Sequence, residues 1–425
     1  MMSPREAALA ARMASRQVAS LPTEARVAGL ERMATALEAQ TERILAANQI
    51  DTEAARSAVG AGNLTQASAD RLNLTSAKLK TLAQGIRAIA QMDEPIGKVR
   101  QRVELAKGLN LRQESAPLGV VLIIFESRPD VLPQLISLAL RSGNGLVLKG
   151  GKEAVNSNRV LHEVICEALS PLPASLFGLV ESREDVAALL GLDDVIDLVV
   201  PRGSNAMVKH IQQNTRIPVL GHADGICHVF VDQAAEPELA EALVLDAKTD
   251  YPAACNAMET LLLHKDYAHS KALLAALQAV GVRLYGDDEA VAKWGLPPAE
   301  SFSVEYGDLA ATVCVVEGLD AAVEHIHRYG SGHTDCVVTS DPEVSSAFLA
   351  RVDSACIFHN ASTRFADGFR FGFGAEVGIS TSRIHARGPV GVDGLMTTRW
   401  KLVGEGHTVA PFSSGDAQFT HRILE

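Results

Sequence analysis

The feature that most constrains the fold is a series of short apolar stretches alternating with helix-length segments between residues 119 and 360. They read GVVLIIF (119–125), GLVLKG (145–150), LFGLV and DLVVPRGS, then METLLLH, VRLYG, ATVCVVEG, DCVVTSD and ACIFHN. Short β-branched and aliphatic runs, each followed by a segment at helical spacing, predict parallel strands joined by crossover helices. Strands apolar on both faces need helices on both faces. The expected class is therefore α/β, with doubly wound sheets whose strand-end loops face a ligand crevice. Two such series are present. The first starts at 118 and is read as continuing through IPVLG and CHVFVD; the second starts near 246.

A chain of 425 residues exceeds what one core supports, which agrees with two lobes. Residues 1 to about 95 carry apolar positions at helical spacing through ARVAGLERMATALEAQTERILAAN and SAKLKTLAQGIRAIAQM. The segment VRQRVELAKGLNLRQES (99–115) changes to strict alternation about a Lys-Gly turn, the pattern of a β-hairpin. Such a hairpin, with a late strand near Trp400 to Gly404, is the kind of element that pairs subunits into a homodimer or homotetramer. The expected division is 1–96 with 118–245 as one lobe, 246–398 as the second, and 97–117 with 399–425 as an oligomerisation hairpin and C-terminal strand.

A formal charge of −12, with no basic run, argues against nucleic acid as a partner. No apolar stretch is long enough to span a membrane, and the opening MMSPREAALAARMASRQ mixes Glu and Arg without the apolar core of a leader. The cytoplasm is the expected location. Six cysteines without a CxxC pair read as free thiols. His325 and His327 are two apart, so they diverge around a helix, and no metal is implied.

Chemistry concentrates in three places. Cys255 stands in Asp-Tyr-Pro-Ala-Ala-Cys-Asn-Ala, directly before an apolar strand and close to the expected lobe boundary, among small neighbours that leave room for a substrate. Its thiol is either a nucleophile or a core side chain. Lys149-Gly150-Gly151-Lys152 and Pro201-Arg202-Gly203-Ser204 each end a strand, where glycines and helix N-termini present N–H groups to anions. No GxGxxG follows any strand.

Taken together, PLGVVLIIFESRPDV (117–131), LVLKGGKEA (146–154), DLVVPRGSNAMV (197–208), YPAACNAMETLLLH (251–264), AAVEHIHRYGSGHTD (321–335) and RFGFGAEVGISTSRIHARGPVGVDGL (370–395) resemble the aldehyde dehydrogenase superfamily. Within it they resemble the γ-glutamyl phosphate reductase family, over nearly the full length. The resemblance implies an aldehyde dehydrogenase-like fold with a cofactor lobe and a catalytic lobe. It also implies NADPH-dependent reduction of γ-glutamyl phosphate to glutamate-5-semialdehyde and phosphate, a step of proline biosynthesis, through a thioester on Cys255. The Ser127 hydroxyl and the Cys255 N–H become candidate oxyanion donors, and His222 a candidate proton donor. Lys149, Gly203, Ser204 and Glu305 become candidate NADP(H) contacts. Lys152 stands where many NAD-preferring relatives carry a glutamate, which favours NADP. Arg128, Arg202, Arg364, Ser380 and Thr381 are candidates for the substrate's anionic groups.

Hydrolytic relatives carry a glutamate general base before Leu-Gly-Gly, where this chain has Val219-Leu220-Gly221. Its absence suits a thioester that must survive for reduction, or for phosphate in reverse. A transient contact with glutamate 5-kinase is a further implied partner. Two other readings stand beside this one: a non-phosphorylating NAD(P)-dependent aldehyde dehydrogenase, and a catalytically silent nucleotide-binding protein.

Overall fold

A computed structural model describes residues 3–182, 184–221 and 224–424. The N-terminal segment forms α1 (Pro4–Ala19), α2 (Thr23–Ala39), α3 (Thr41–Gly60), α4 (Gln66–Leu72) and α5 (Ser76–Ala90). α1 starts at a capping box: the Ser3 hydroxyl accepts from the Glu6 N–H, and the Glu6 carboxylate accepts from the Ser3 N–H. Its face of Ala7, Ala8, Ala11, Ala14 and Val18 is small and buried, so the helix lies close against a sheet. At Gly145 the approach is so close that a Cβ would stand 2.6 Å from the Ala11 carbonyl oxygen.

The chain then forms β1 (Val99–Ala106) and β2 (Leu109–Pro117), and enters the first sheet at β3 (Val120–Phe125). That sheet alternates with helices: α6 (Val131–Ser142), β4 (Gly145–Lys149), α7 (Val155–Ala168), β5 (Phe177–Val180), α8 (Glu184–Leu190), β6 (Leu198–Arg202) and α9 (Asn205–Gln213). Its strands are parallel in the order β5-β4-β3-β6. β3 and β4 are buried along their whole length, because apolar clusters cover both faces.

The second sheet uses β7 (Cys227–Val231), α10 (Pro237–Thr249), β8 (Met258–His264), α11 (Ser270–Ala279), β9 (Arg283–Gly286), α12 (Asp288–Trp294), β10 (Ala310–Val316), α13 (Leu319–Tyr329), β11 (Thr334–Val338), α14 (Pro342–Arg351) and β12 (Cys356–His359). Its order is β12-β11-β7-β8-β10-β9, again parallel. This corrects the expectation that CHVFVD extends the first sheet. β7 pairs with β8 and β11, so the chain changes sheets before Cys227 and not near residue 246. A five-residue run buried on both faces reads alike in either sheet, so its pattern carried no information about its neighbours. Of the stretch before it, Val219 does bridge to Val199 of β6.

After the short pair β13 (Ile379–Ser380) and β14 (Gly388–Pro389) come β15 (Met396–Val403), α15 (Ala410–Ser414) and β16 (Arg422–Leu424). The late strand pairs within its own chain: β15 runs antiparallel to β2 from Met396↔Pro117 to Val403↔Asn110, giving a sheet of order β15-β2-β1-β16. No helix among the described residues is long and apolar enough to cross a membrane.

Candidate active site

Cys255 lies in the loop between α10 and β8, at the N-terminal edge of the second sheet. Both flanking elements are anchored in the core, so the loop's ends are fixed. Two neighbours shape it further. The Cys227 thiol lies 3.3 Å from the Cys255 carbonyl oxygen. Gly225 packs so tightly that a Cβ there would fall 2.2 Å from the same oxygen. Asn256, buried, donates to the Ala366 carbonyl at 2.9 Å, tying the loop to residues 364–366. Among the described residues the Cys255 backbone N–H has no acceptor, which leaves it available to an oxyanion.

The thiol opens on a cleft of about 590 Å³, within the usual range for a small-molecule site. Its lining joins first-sheet residues that follow β3 (Glu126, Ser127, Arg128) and β6 (Gly203, Ser204, Asn205) to Tyr251, Ala253 to Asn256, Glu305, Arg364, Asp367 and Glu376. The other five thiols are structural. Burial pushes Cys166 and Cys336 up to about 12 and Cys356 up to about 11, and raises Cys227 and Cys314 as well.

Each carboxylate lining the cleft holds part of its wall. Glu126 accepts from the Ser204 N–H at 3.2 Å, Glu305 from Asn205 at 3.4 Å, Asp367 from the Phe369 N–H at 2.9 Å, and Glu376 from the Gly368 N–H at 2.8 Å. The α9 N-terminus, uncapped by the Ser204 side chain, thus has an anionic group against it. Glu126 already takes the Ser204 N–H, while the Asn205, Ala206 and Met207 N–H groups of the first turn have no acceptor among the described residues, and these donors fit a nucleotide's pyrophosphate.

Residues 3–291 match the family model of the aldehyde dehydrogenase family. The chain belongs to that family. Among aldehyde dehydrogenases it is 48% identical over 423 residues to γ-glutamyl phosphate reductase of Natronomonas pharaonis, an alignment that covers 98% of this chain and 97% of that protein. It is 55% identical over 409 residues to Delta-1-pyrroline-5-carboxylate synthase A of Arabidopsis thaliana, covering 95% of this chain but 56% of the plant protein. The chain therefore spans little more than half the length of the plant synthases it matches. The solved γ-glutamyl phosphate reductase of Thermotoga maritima superposes with a TM-score of 0.91 at 34% identity, covering 96% of this chain and 100% of that one.

On this aldehyde dehydrogenase scaffold the expected site residues separate into groups. Cys255, Ser127, Arg128, Arg202, Gly203, Ser204, Glu305 and Arg364 all line the cleft. Ser127, at φ 44°, spends both its N–H (2.6 Å) and its hydroxyl (2.8 Å) on Glu153, so in this state it faces away from an oxyanion role. Glu153 was not anticipated from sequence. Arg364 is held by Asp250: its Nε donates to the carbonyl at 2.5 Å and lies 3.4 Å from the carboxylate.

Ser380 is fully buried and its hydroxyl accepts from the Ser382 N–H. Neither it nor Thr381 lines the cleft; Gly378 and Ile379, just before them, do. Lys149, buried, donates to the Gly150 carbonyl, while Lys152 is exposed in the 3-10 turn Lys152–Ala154. Both stand at the C-terminal end of β4, one strand from the Glu126–Arg128 loop, outside the cleft lining. His222 lies outside the described residues.

Proposed function

We propose that the chain reduces γ-glutamyl phosphate to glutamate-5-semialdehyde and phosphate, through a thioester on Cys255, with NADPH as reductant. The observation that carries this reading is the pairing of Cys255 with a cleft whose carboxylates are all engaged in its own walls, beside arginines suited to an anionic substrate.

The Cys255 thiolate attacks the γ-carbonyl carbon. The Cys255 N–H stabilises the oxyanion that forms, and the C–O bond to phosphate then breaks, leaving the acyl group on sulfur. When bound, the reduced nicotinamide supplies the hydride that converts the thioester to a thiohemiacetal. Cys255 then leaves as thiolate as the carbonyl re-forms and the aldehyde is released. Val219, turned onto β6, supplies no base to activate water against the thioester. Gly203 and Ser204 at the α9 N-terminus would receive the pyrophosphate, with Glu305, which accepts from Asn205, next to them. Lys149 and the exposed Lys152 would meet the adenosine end, and a cation at 152 suits a 2′-phosphate. Arg128 and Arg202 serve the substrate's anions.

The β1–β2 sheet and β15, whose Trp400, Leu402 and Val403 are exposed, suit pairing between copies into a homo-oligomer. The cytoplasm is the setting that fits free thiols. The plant synthases' extra length suits a fused activity upstream of the reductase, so a transient contact with glutamate 5-kinase belongs to the same proposal.

The test is the reverse reaction with glutamate-5-semialdehyde and NADP, with and without phosphate. Turnover that requires phosphate supports the reading; phosphate-independent acid formation would make the chain an ordinary aldehyde oxidiser.

A further inference from the structure

Four arginines line the cleft: Arg71, Arg128, Arg202 and Arg364. Two of them have a carboxylate within ion-pair distance: Arg202 has Glu376 at 3.5 Å and Arg364 has Asp250 at 3.4 Å. Arg71, in the last turn of α4, donates to the Tyr251 phenol at 3.3 Å. The Arg128 guanidinium has no hydrogen bond or ion pair among the described residues, and Asp130 near it is bridged to Lys78 at 3.7 Å. Burial, and then the neighbouring Arg202, pulls Arg128 below its ordinary value; Arg71 acts in the same direction and Asp130 against it. Gathering Arg71, Arg128 and Arg202, beside the Asp250-paired Arg364, in a partly enclosed cleft costs free energy that a bound anion recovers.

The proposed substrate has two anionic ends. Its acyl phosphate must lie where the Cys255 sulfur meets the carbonyl carbon. Arg202 ends β6 beside Gly203 and the α9 N-terminus, on the side assigned to phosphates. Arg71 comes instead from the N-terminal helices and meets Tyr251, four residues before the nucleophile. Tyr251 sits at φ 62°, uncommon for an aromatic residue, so the surrounding structure holds this piece of wall in place.

We propose that Arg71, with Arg128 beside it, binds the substrate's α-carboxylate and so selects an amino-acid aldehyde over a simple one. The assignment rests on the reaction proposed above. A guanidinium reaches both oxygens of a carboxylate at once, and Arg71 is the cleft arginine whose hydrogen-bond partner among the described residues is a neutral hydroxyl.

The experiment compares wild type with Arg71→Ala and Arg71→Lys in the phosphate-dependent reverse reaction. The aldehydes are glutamate-5-semialdehyde and 4-aminobutanal, which is the same aldehyde without the α-carboxylate. Arg71→Ala should raise KM for glutamate-5-semialdehyde about 10- to 100-fold, as expected for one charge-assisted pair, and leave KM for phosphate and kcat/KM for 4-aminobutanal within about two-fold. Arg71→Lys should recover part of the loss. A rise in KM for phosphate instead, or an equal loss with both aldehydes in a protein of unchanged melting midpoint, would overturn the assignment while leaving the reaction intact. Wild-type protein without phosphate-dependent turnover would overturn the reaction and this assignment with it.

Discussion

Gly225→Ala tests whether the close approach beside Cys255 is what positions the proposed nucleophile. The added Cβ would lie 2.2 Å from the Cys255 carbonyl oxygen and 2.8 Å from both its carbonyl carbon and its Cα. These are backbone atoms, so no side-chain rotation relieves the overlap, and the two loops must part by about 1 Å at a cost of roughly 1–3 kcal/mol. For 425 residues, an unfolding entropy of about 2 cal/mol/K per residue makes each kcal/mol worth about one degree, so the melting midpoint should fall by only about 1–3 °C. The effect on chemistry is larger, because a nucleophile displaced by about 1 Å from its attack geometry loses on the order of 10²-fold in rate. The assay is kcat for phosphate-dependent oxidation of glutamate-5-semialdehyde, read beside a thermal scan. A folded variant whose kcat matches wild type would show that the Gly225 contact does not place the thiol.

If Lys152 pairs with a 2′-phosphate as proposed, Lys152→Glu should lower the preference for NADPH over NADH, measured as the ratio of kcat/KM values, by about 10- to 100-fold, because an anion replaces the cation. An unchanged ratio would remove Lys152 from the cofactor site. A second outcome concerns pH. His325 packs edge-on or tilted against His228, Phe302 and Tyr329 with its Nε2 buried and unpartnered among the described residues, and burial, then His228, lowers it to about 3. Its folded value lies below that of the unfolded chain, so below about pH 6.5 the unfolded state binds the extra proton and stability falls with acidity, by about 1–2 kcal/mol between pH 7 and pH 5. His325→Phe should flatten that slope in urea unfolding; parallel slopes would show that the acid sensitivity arises elsewhere.

The strands of both sheets were legible because each is a short apolar run with a helical segment behind it. What the pattern could not show is which sheet a fully buried strand joins, and β7 is the case in point. Cys255 was legible from its small-residue loop before a strand. Its supports were not: Gly225 and Asn256 act through backbone contacts to segments distant in sequence, which no local spacing encodes. Arg364 and Ser380 carried the right chemistry for an anion, yet an Asp250 tie claims the first and burial the second. Arg71 gave no signal at all, being an ordinary cation in a short helix until the fold carries α4 to the cleft. The one sign available for Gly225 was its place just before an apolar strand, where close backbone approach is common.

The central claim is that Cys255 carries the acyl group and that phosphate, not water, removes it. The most direct measurement mixes the enzyme with NADP and glutamate-5-semialdehyde in the absence of phosphate, follows NADPH formation, and then maps the acylated peptide by mass spectrometry. The account predicts a burst of one NADPH per active site, an acyl group on the peptide containing Cys255, and resumed turnover when phosphate is added. Steady NADPH formation without phosphate, or acylation confined to another residue, would contradict it.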